Sequence, residues 1–207
     1  MSDYTEKKSK GEITQERIIH AALKLYGQNG FSQTSMQMIA NECELSQGAV
    51  MQHFKSKQRL FEAVRKYVTI SNHQFVDSLI QPIDDGFVSL KKHILGNLGW
   101  ALKNRAQVSI VYITYEAGIC DEEKMSVSLA TARLGTERIL RYLYSAQREK
   151  LIQVSGPIEQ IAEIIHEYLL GMVLRTLNFT MSQKIPVKVE ERVEFFLSQL
   201  LKYSKKM

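Results

Sequence analysis

The stretch from Ser46 to Phe54 carries side chains suited to contacting the edges of nucleic-acid bases. If Ser46 caps a helix, Val50 and Phe54 point to one side of it, because residues four apart share a helix face. The opposite side has small, amide-bearing or potentially cationic residues and no acid: Gln47, Gly48, Ala49, Met51, Gln52 and His53. Such a face can enter the major groove, where an amide pairs with a base and phosphate would repel an acid.

Other chemistries find little support in the residue pattern. Glu163 and His166 have the Glu-x-x-His spacing of di-iron bundles, which need a second such pair, and the chain contains none. A polar pair in a buried helix or a ligand contact explains them more simply. Cys43 and Cys120 have no partner at metal-ligand spacing, and no nucleophile signature such as G-x-S-x-G is present. We therefore expect no enzymatic activity, no metal and no cofactor.

A base-contacting helix needs a second helix to position it. Thr34 is a suitable N-cap for such a helix, and Gln37 completes a capping box. The residues that follow recur at three and four to give one apolar face: Met36, Ile39, Ala40 and Cys43. Two short helices joined by a tight turn predict a helix-turn-helix, although an ordinary helical hairpin with a polar outer face would give the same pattern.

The flanking sequence favours the helix-turn-helix, because residues 14–61 resemble the N-terminal domain of the TetR family of bacterial transcriptional regulators. The matching residues are Thr14, Glu16, Arg17, Ile18, Ile19, Ala21, Ala22, Leu25, Tyr26, Gly30, Phe31, Thr34, Ser35, Ile39, Ala40, Ser46, Gly48, His53, Phe54, Ser56, Lys57, Leu60 and Phe61. The resemblance covers the first quarter to third of the chain. It implies a dimeric, nearly all-helical DNA-binding protein, usually a repressor that a small ligand releases from DNA.

The residues expected to contact DNA are Thr34, Ser35, Ser46, Gln47, Gly48, Ala49, Met51, Gln52, His53 and Lys57. Two positions depart from the family pattern. Glu44 stands in the turn where Gly is usual, and a left-handed backbone there would cost about 1 kcal/mol. Met51 stands where the family usually has Tyr, so the phosphate contact of that hydroxyl does not carry over.

Composition is that of a globular protein, with 207 residues, 44% hydrophobic content and a net charge of +5. The positive charge permits a polyanionic partner. Two distant cysteines suit a reducing compartment, and no apolar run approaches the roughly 20 residues of a spanning helix. The N-terminus lacks the apolar core of a signal peptide. We therefore expect a cytoplasmic protein with no membrane partner.

The sequence predicts an all-α fold, with an N-terminal three-helix helix-turn-helix domain and a C-terminal helical ligand-binding and dimerisation domain. After a loose arm through Gly11, helices are expected over residues 14–29, 34–43, 47–54, 56–79, 87–104, 107–119, 122–150 and 158–181, and again after Pro186. The predicted domains are residues 1–55 and 82–207, joined by a connecting helix within residues 56–81.

The predicted helix over residues 158–181 is apolar nearly all round and must be covered on every side. A second copy of the chain would cover it most simply, so we assign the last two helices to a two-fold homodimer interface. A central helix in a monomeric bundle is the alternative.

The second domain also contains aromatic residues with a few polar groups, as small-molecule pockets do and as cores do too. The family resemblance favours a pocket, for which the candidate residues are Phe75, Asn97, Trp100, Tyr112, Tyr115, Met125 and Leu129. The expected partners are thus a pseudo-palindromic double-stranded DNA operator, a largely apolar effector and a second copy of the chain. Two other function classes stay open: an interaction module that kept the fold but lost specific DNA binding, and a carboxylate-bundle enzyme.

Overall fold

The computed structural model describes residues 9–182 and 188–203, which form nine α-helices and two short strands. The helices are α1 (Lys10–Gln33), α2 (Met36–Glu42), α3 (Gln47–His53), α4 (Lys57–Leu79), α5 (Gly86–Lys103), α6 (Arg105–Cys120), α7 (Glu122–Arg148), α8 (Ile158–Ser182) and α9 (Val189–Leu200). The strands are β1 (Ile152–Val154) and β2 (Leu201–Tyr203). The predicted fold class, with a helix-turn-helix near the N-terminus and a helical second part, is confirmed. None of the described helices is both long enough and apolar enough to cross a lipid bilayer.

The chain divides into two compact units. The first contains the described residues up to Ile70 together with Ala106–Ile113, and the second contains Ser71–Arg105 and the residues from Thr114 onward. Helices α4 and α6 therefore each contribute residues to both units.

The first unit buries one apolar core. Its fully buried side chains include Ile18, Ala22, Tyr26, Ile39, Val50, Leu60 and Val64. The rings of Tyr26, Phe31 and Phe61 pack pairwise with centroid separations of 4.9 to 5.6 Å. A Cβ placed on Gly27 would lie only 2.8 Å from the Cβ of Ala106, so the start of α6 approaches α1 more closely than a larger residue at position 27 would allow. These contacts form a compact base for the helix-turn-helix.

Helix α1 is longer than predicted. Ser9 caps it by accepting a hydrogen bond from the backbone N–H of Glu12 at 3.2 Å, while the Glu12 carboxylate accepts from the Ser9 N–H at 2.7 Å. The prediction of a loose arm through Gly11 is therefore wrong for Lys10 and Gly11, and residues 1–8 of that arm lie outside the described residues. Gly30, which follows the predicted end at residue 29, has φ 76° and kinks the helix, but helical residues continue to Gln33.

The second unit is a bundle in which α5, α7, α8 and α9 bury apolar side chains, including Leu90, Ile94, Leu98, Ile139, Leu143, Ile165 and Leu197. Helix α5 begins at Gly86, where a Cβ would lie 2.2 Å from the backbone nitrogen of Ala146. Only glycine allows this approach of α5 to α7, so the packing of the two helices depends on the missing side chain.

The strand pair was not predicted from the sequence. Two residues after the end of α7, the backbone of Lys150 is in the left-handed region, with φ 58°. The N–H of Leu151 then donates to the Ala146 carbonyl at 2.9 Å. The chain then enters β1, which pairs antiparallel with β2 so that Ile152 lies opposite Tyr203. Two three-residue strands about fifty positions apart have no local signature.

Helix α8 leaves apolar surface uncovered by its own chain. Ile161, Ile165 and Leu169 are buried, whereas Ile164 and Leu174 are 42% and 46% exposed. On α9, Phe196 stacks on Tyr168 of α8 with ring centroids 3.6 Å apart, and the neighbouring Phe195 is 69% exposed.

Candidate nucleic-acid interface and effector cavity

Serine side chains start both helices of the helix-turn-helix. Ser35 caps α2 by accepting from the Met38 N–H at 3.1 Å, and Ser46 caps α3 by accepting from the Ala49 N–H at 3.1 Å. The cap predicted at Ser46 is confirmed. The capping box predicted for Thr34 and Gln37 is wrong, because Ser35 is the cap and the Gln37 amide donates to Asn41 within the helix.

Thr34 closes the preceding helix instead. Its side chain is 1% exposed, and its hydroxyl lies 2.9 Å from the Gly30 carbonyl and 3.2 Å from that of Leu25, to which it donates. The hydroxyl thus shares its hydrogen between two backbone carbonyls at and before the kink at Gly30. A buried hydroxyl bonded in this way is not available to a phosphate, so the side chain of Thr34 leaves the expected set of DNA contacts.

The turn between α2 and α3 is fixed by backbone hydrogen bonds. Glu44 has φ 55°, which confirms the left-handed conformation considered for it. Its N–H donates to the Asn41 carbonyl at 3.1 Å, and the N–H of Leu45 donates to that of Ala40 at 2.9 Å. This pair of bonds is a Schellman motif. The Arg17 guanidinium adds a bond to the Cys43 carbonyl at 2.9 Å, which joins the turn to α1.

The outer face of α3 keeps the predicted chemistry. Val50 and Phe54 are buried as predicted, and no residue of α3 is acidic. The residues opposite them are exposed (Gln47, Gly48 and Gln52) or half-buried (Ala49, Met51 and His53). The amide groups of this face are therefore open to a ligand of complementary shape.

Lys57, at the start of α4, is positioned by two contacts. Its ammonium donates to the Ser32 carbonyl at 3.3 Å and lies 4.3 Å from the centroid of the Phe31 ring. Burial lowers the pKa of Lys57. An ammonium has three donors, so one bond to Ser32 leaves others for an anion.

The predicted effector residues differ in their exposure. Trp100 is 4% exposed, and the Asn97 amide donates to the His93 carbonyl at 2.8 Å and accepts from Asn72 at 3.0 Å. Met125 and Leu129 are 43% and 62% exposed. Phe75 and Tyr115 are half-buried in the second unit, while Tyr112 belongs to the first. The cavity found in the second unit is lined by none of these seven.

That cavity has a volume of about 520 Å³ and lies against one face of α7. Its lining residues are His73 from α4 and Leu134, Glu137, Arg138, Leu140, Arg141 and Tyr144 from α7. Sequence analysis missed them, although the spacing of Leu134, Arg138 and Arg141 is that of one helix face and was a usable signal. Arg138 is 6% exposed and pairs with Asp77 of α4, with Nη2 and Oδ1 2.5 Å apart.

Buried histidines accompany these arginines. Burial, followed by the charges of Arg138, His166, His73 and Arg141, lowers the pKa of His93 to about 3. Burial is also the main cause that lowers the pKa values of His73 and His166. Two buried nitrogens, Nδ1 of His93 and Nε of Arg138, have no hydrogen-bond partner among the described residues. The cluster combines neutral imidazoles with fixed positive charge.

Across the described ranges, no group of three or more His, Cys, Asp or Glu side chains has the arrangement of a metal site. Glu163 is exposed on α8, whereas His166 is buried against α7. A Cβ on Gly135 would lie 2.3 Å from His166 Nε2, so this imidazole occupies the space left by the glycine. His166 thus has a packing role in the second unit.

Comparison with known proteins agrees with the helix-turn-helix geometry. Residues 18–64 match the model of the bacterial regulatory proteins of the tetR family. The match covers less than a quarter of the chain and relates this segment to that family. The matched segment runs from α1 through α3 into α4, and so contains both capped helices and the turn at Glu44.

Individual relatives differ in how much of the chain they match. The Bacillus subtilis regulator YerO is 44% identical over 52 residues, which are 25% of this chain but 18% of YerO, so the chain matches less than a fifth of that relative's length. A probable acrEF/envCD operon repressor of Escherichia coli K12 is 20% identical over 200 residues, covering 92% of this chain and 91% of its own.

A solved regulatory protein of the tetR family from Rhodococcus RHA1 is 18% identical, covers 96% of this chain and all of its own, and superimposes with a TM-score of 0.70. At that identity the likeness extends to the fold alone. Within the tetR family pattern, this chain keeps its two departures. Glu44 adopts the backbone conformation for which the family usually has Gly, and Met51 is half-buried on α3.

Proposed function

We propose that the chain is a homodimeric, sequence-specific transcriptional regulator of the tetR family that represses from a pseudo-palindromic operator and is released by a small effector. One observation carries this proposal: the acid-free outer face of α3, held in place by the Ser46 cap and by the left-handed turn at Glu44. The match of residues 18–64 to the tetR family model and the similarity to an operon repressor support it. Such a protein acts on DNA in the cytoplasm.

The exposed amides of Gln47 and Gln52 are suited to base edges, and the methyl group of Ala49 to a thymine methyl. His53 and Lys57 lie at the end of α3 and the start of α4, and we assign them to phosphates. Two half-sites about one helical turn apart, roughly 34 to 36 Å or a multiple of it, would match a two-fold dimer.

Dimerisation is supported by the uncovered apolar surface of α8 and α9. Ile164, Leu174 and Phe195 are all more than two-fifths exposed, and a second copy would remove them from water. An isologous interface uses the same patch on both copies, so these residues would meet their own counterparts.

Effector release is supported by the course of α4. The helix contributes Lys57 through Ile70 to the first unit and Ser71 through Leu79 to the second. An effector bound by the second unit that favours one position of α4 changes operator affinity. The coupling of about 1 to 3 kcal/mol that is typical of such systems corresponds to roughly 5- to 150-fold.

The test is a fluorescence anisotropy titration of the full chain against DNA from upstream of its own gene, at several salt concentrations. Lys57→Ala should weaken binding to all sequences about equally and lower the salt slope by about one. Gln47→Ala should relax preference at one base position while keeping the slope. Lys66→Ala, an exposed lysine of α4 farther from α3, is the matched control and should change neither property.

Weak binding that ignores sequence would contradict the proposal and would favour an interaction module that kept only the fold. An unchanged salt slope in the Lys57 variant would remove this lysine from the phosphate contacts without affecting the role of α3.

A further inference from the structure

We propose that the α7 cavity binds the carboxylate of an amphipathic anion, with the guanidinium groups of Arg138 and Arg141 holding the carboxylate and the apolar side chains of α7 holding its hydrocarbon chain. The inference deepens the proposed function and rests on it for one point, that a ligand of the second unit regulates DNA binding. The presence of the site itself depends only on the cavity.

The cationic groups at the cavity exceed what its acids can pair. Asp77 is engaged by Arg138 Nη2, and Glu137 accepts from the Nε of Arg133 at 2.8 Å. Arg141 lines the cavity and makes no hydrogen bond or ion pair within residues 9–182 and 188–203. The acids nearest the cavity thus already have partners, while a guanidinium group does not.

The buried Arg138 has a donor that its bond to Asp77 does not use. Its Nη2 bonds Asp77, but its Nε is buried and bonds no described residue, although a buried polar group normally has a partner. A guanidinium presents its N–H groups in a planar fork that matches the two oxygens of a carboxylate. Arg138 and Arg141 are three positions apart on α7, so their side chains share a face of the helix.

The histidines around the cavity favour an anion over a cation. His73 lines the cavity, and burial together with the charges of Arg138 and Arg141 lowers its pKa, against the opposing charge of Asp77. A neutral imidazole can donate one hydrogen bond without adding a proton. A bound cation would add to the positive charge of the arginines, whereas a carboxylate offsets it.

The rest of the lining is apolar. Leu134, Leu140 and the ring of Tyr144 follow one another along α7, and the Tyr144 hydroxyl is occupied by a hydrogen bond to the Glu159 carboxylate at 2.5 Å. Tyr144 therefore offers its ring more than its hydroxyl. A volume of about 520 Å³ lies within the range of roughly 300 to 1,000 Å³ found for small-molecule sites. The charged end and the apolar length together fit a medium-chain carboxylate.

The experiment is isothermal titration calorimetry of the full chain with decanoate, kept below its micellar concentration, and with decanol as the uncharged match. We expect decanoate to bind about tenfold more tightly than decanol, because only the carboxylate can use the guanidinium donors. Added salt should weaken decanoate binding and leave decanol binding unchanged.

Arg141→Gln is the main variant, because Arg141 is exposed and its loss leaves the core intact. It should weaken decanoate binding about five- to tenfold and leave decanol binding as it was. Arg148→Gln is the matched control, since Arg148 is an exposed arginine of the same helix that does not line the cavity. Arg138→Gln, checked for folding by circular dichroism, should weaken decanoate binding at least as much.

Three outcomes would each overturn the site. They are equal affinities for decanoate and decanol, no decanoate binding, and equal effects of the Arg141 and Arg148 variants on decanoate binding. Operator titrations on the same protein separate the two proposals. Decanoate binding that needs Arg141 but leaves operator affinity unchanged would keep the site and reject its regulatory role. Absence of specific operator binding would reject the proposed function while the calorimetry still decides the site.

Discussion

The two units place their polar groups differently. In the first, the side chains that start α2 and α3 bond backbone groups three residues away, as Ser35 and Ser46 do. In the second, a buried charged side chain joins two helices, since Arg138 of α7 is 6% exposed and bonds Asp77 of α4. The second unit also buries His93, whereas the first presents its polar side chains on an open helix face. The first unit therefore carries its polar side chains on the surface, whereas the second also places charged and titratable side chains in its interior.

Acid should expose this difference most strongly. The folded-state pKa of His93, about 3, lies below its ordinary value of 6.5, so the folded protein binds fewer protons than the unfolded chain. The contribution of His93 to stability is complete above pH 6.5 and is lost as pH falls towards 3, by on the order of 4 kcal/mol. Urea unfolding between pH 7 and pH 4, followed by circular dichroism, measures the loss.

His93→Gln removes the titrating group and should flatten that pH dependence, while His53→Gln, at the half-buried last residue of α3, is the control. A steep loss of stability that persists in the His93 variant would assign the acid sensitivity to other groups of the second unit.

Two glycines should respond in opposite directions. Gly86→Ala puts a Cβ 2.2 Å from the Ala146 nitrogen, and we expect a loss of about 2 to 3 kcal/mol, since backbone cannot move aside cheaply. Gly48→Ala on α3 meets nothing closer than the Ser46 hydroxyl at 3.8 Å, so stability should rise by roughly 0.5 to 1 kcal/mol. Thermal unfolding of both variants gives the comparison, and a stable Gly86 variant would show that α5 can shift along α7.

Thr34 and Ser35 are neighbours with different roles in the first unit. Thr34→Val removes the buried hydroxyl that bonds the Gly30 carbonyl, and it should lower the free energy of unfolding by about 1 to 2 kcal/mol. Ser35→Ala removes only the cap of α2 and should cost about 1 kcal/mol. Urea midpoints of the two variants measure both effects. A neutral Thr34→Val change would mean that water replaces the hydroxyl, and a neutral Ser35→Ala change would mean that α2 starts without its cap.

The smallest effect is expected at Glu44. At φ 55°, Glu44→Gly should relieve strain and raise stability by up to about 1 kcal/mol, and Glu44→Val should lower it, because a β-branched residue tolerates this conformation poorly. Melting temperatures decide the sign. Destabilisation by Gly would show that the entropy glycine adds to the unfolded chain outweighs the relief of strain.

Much of the first unit was readable from the sequence, because caps and turns act over three or four residues. The cap at Ser46 and the buried pair Val50 and Phe54 follow from neighbouring residue types. The left-handed turn at Glu44 was suggested by the family resemblance, because Gly is usual there. The cap at Thr34 was wrong because two adjacent residues can both cap a helix. Burial of the Thr34 hydroxyl against α1 decided between them, and no local pattern encodes that contact.

The sequence by itself determined that the chain is helical, where the helices lie to within a few residues, and that α3 has an outer face free of acid. Tertiary structure alone decided the β1–β2 pairing, the close approach at Gly86 and the cavity lined by His73, Arg138 and Arg141. The aromatic and polar residues predicted as one pocket occupy buried, half-buried and exposed positions. The reason is physical: helix periodicity and capping are local in the chain, whereas a cavity forms between residues that only packing brings together.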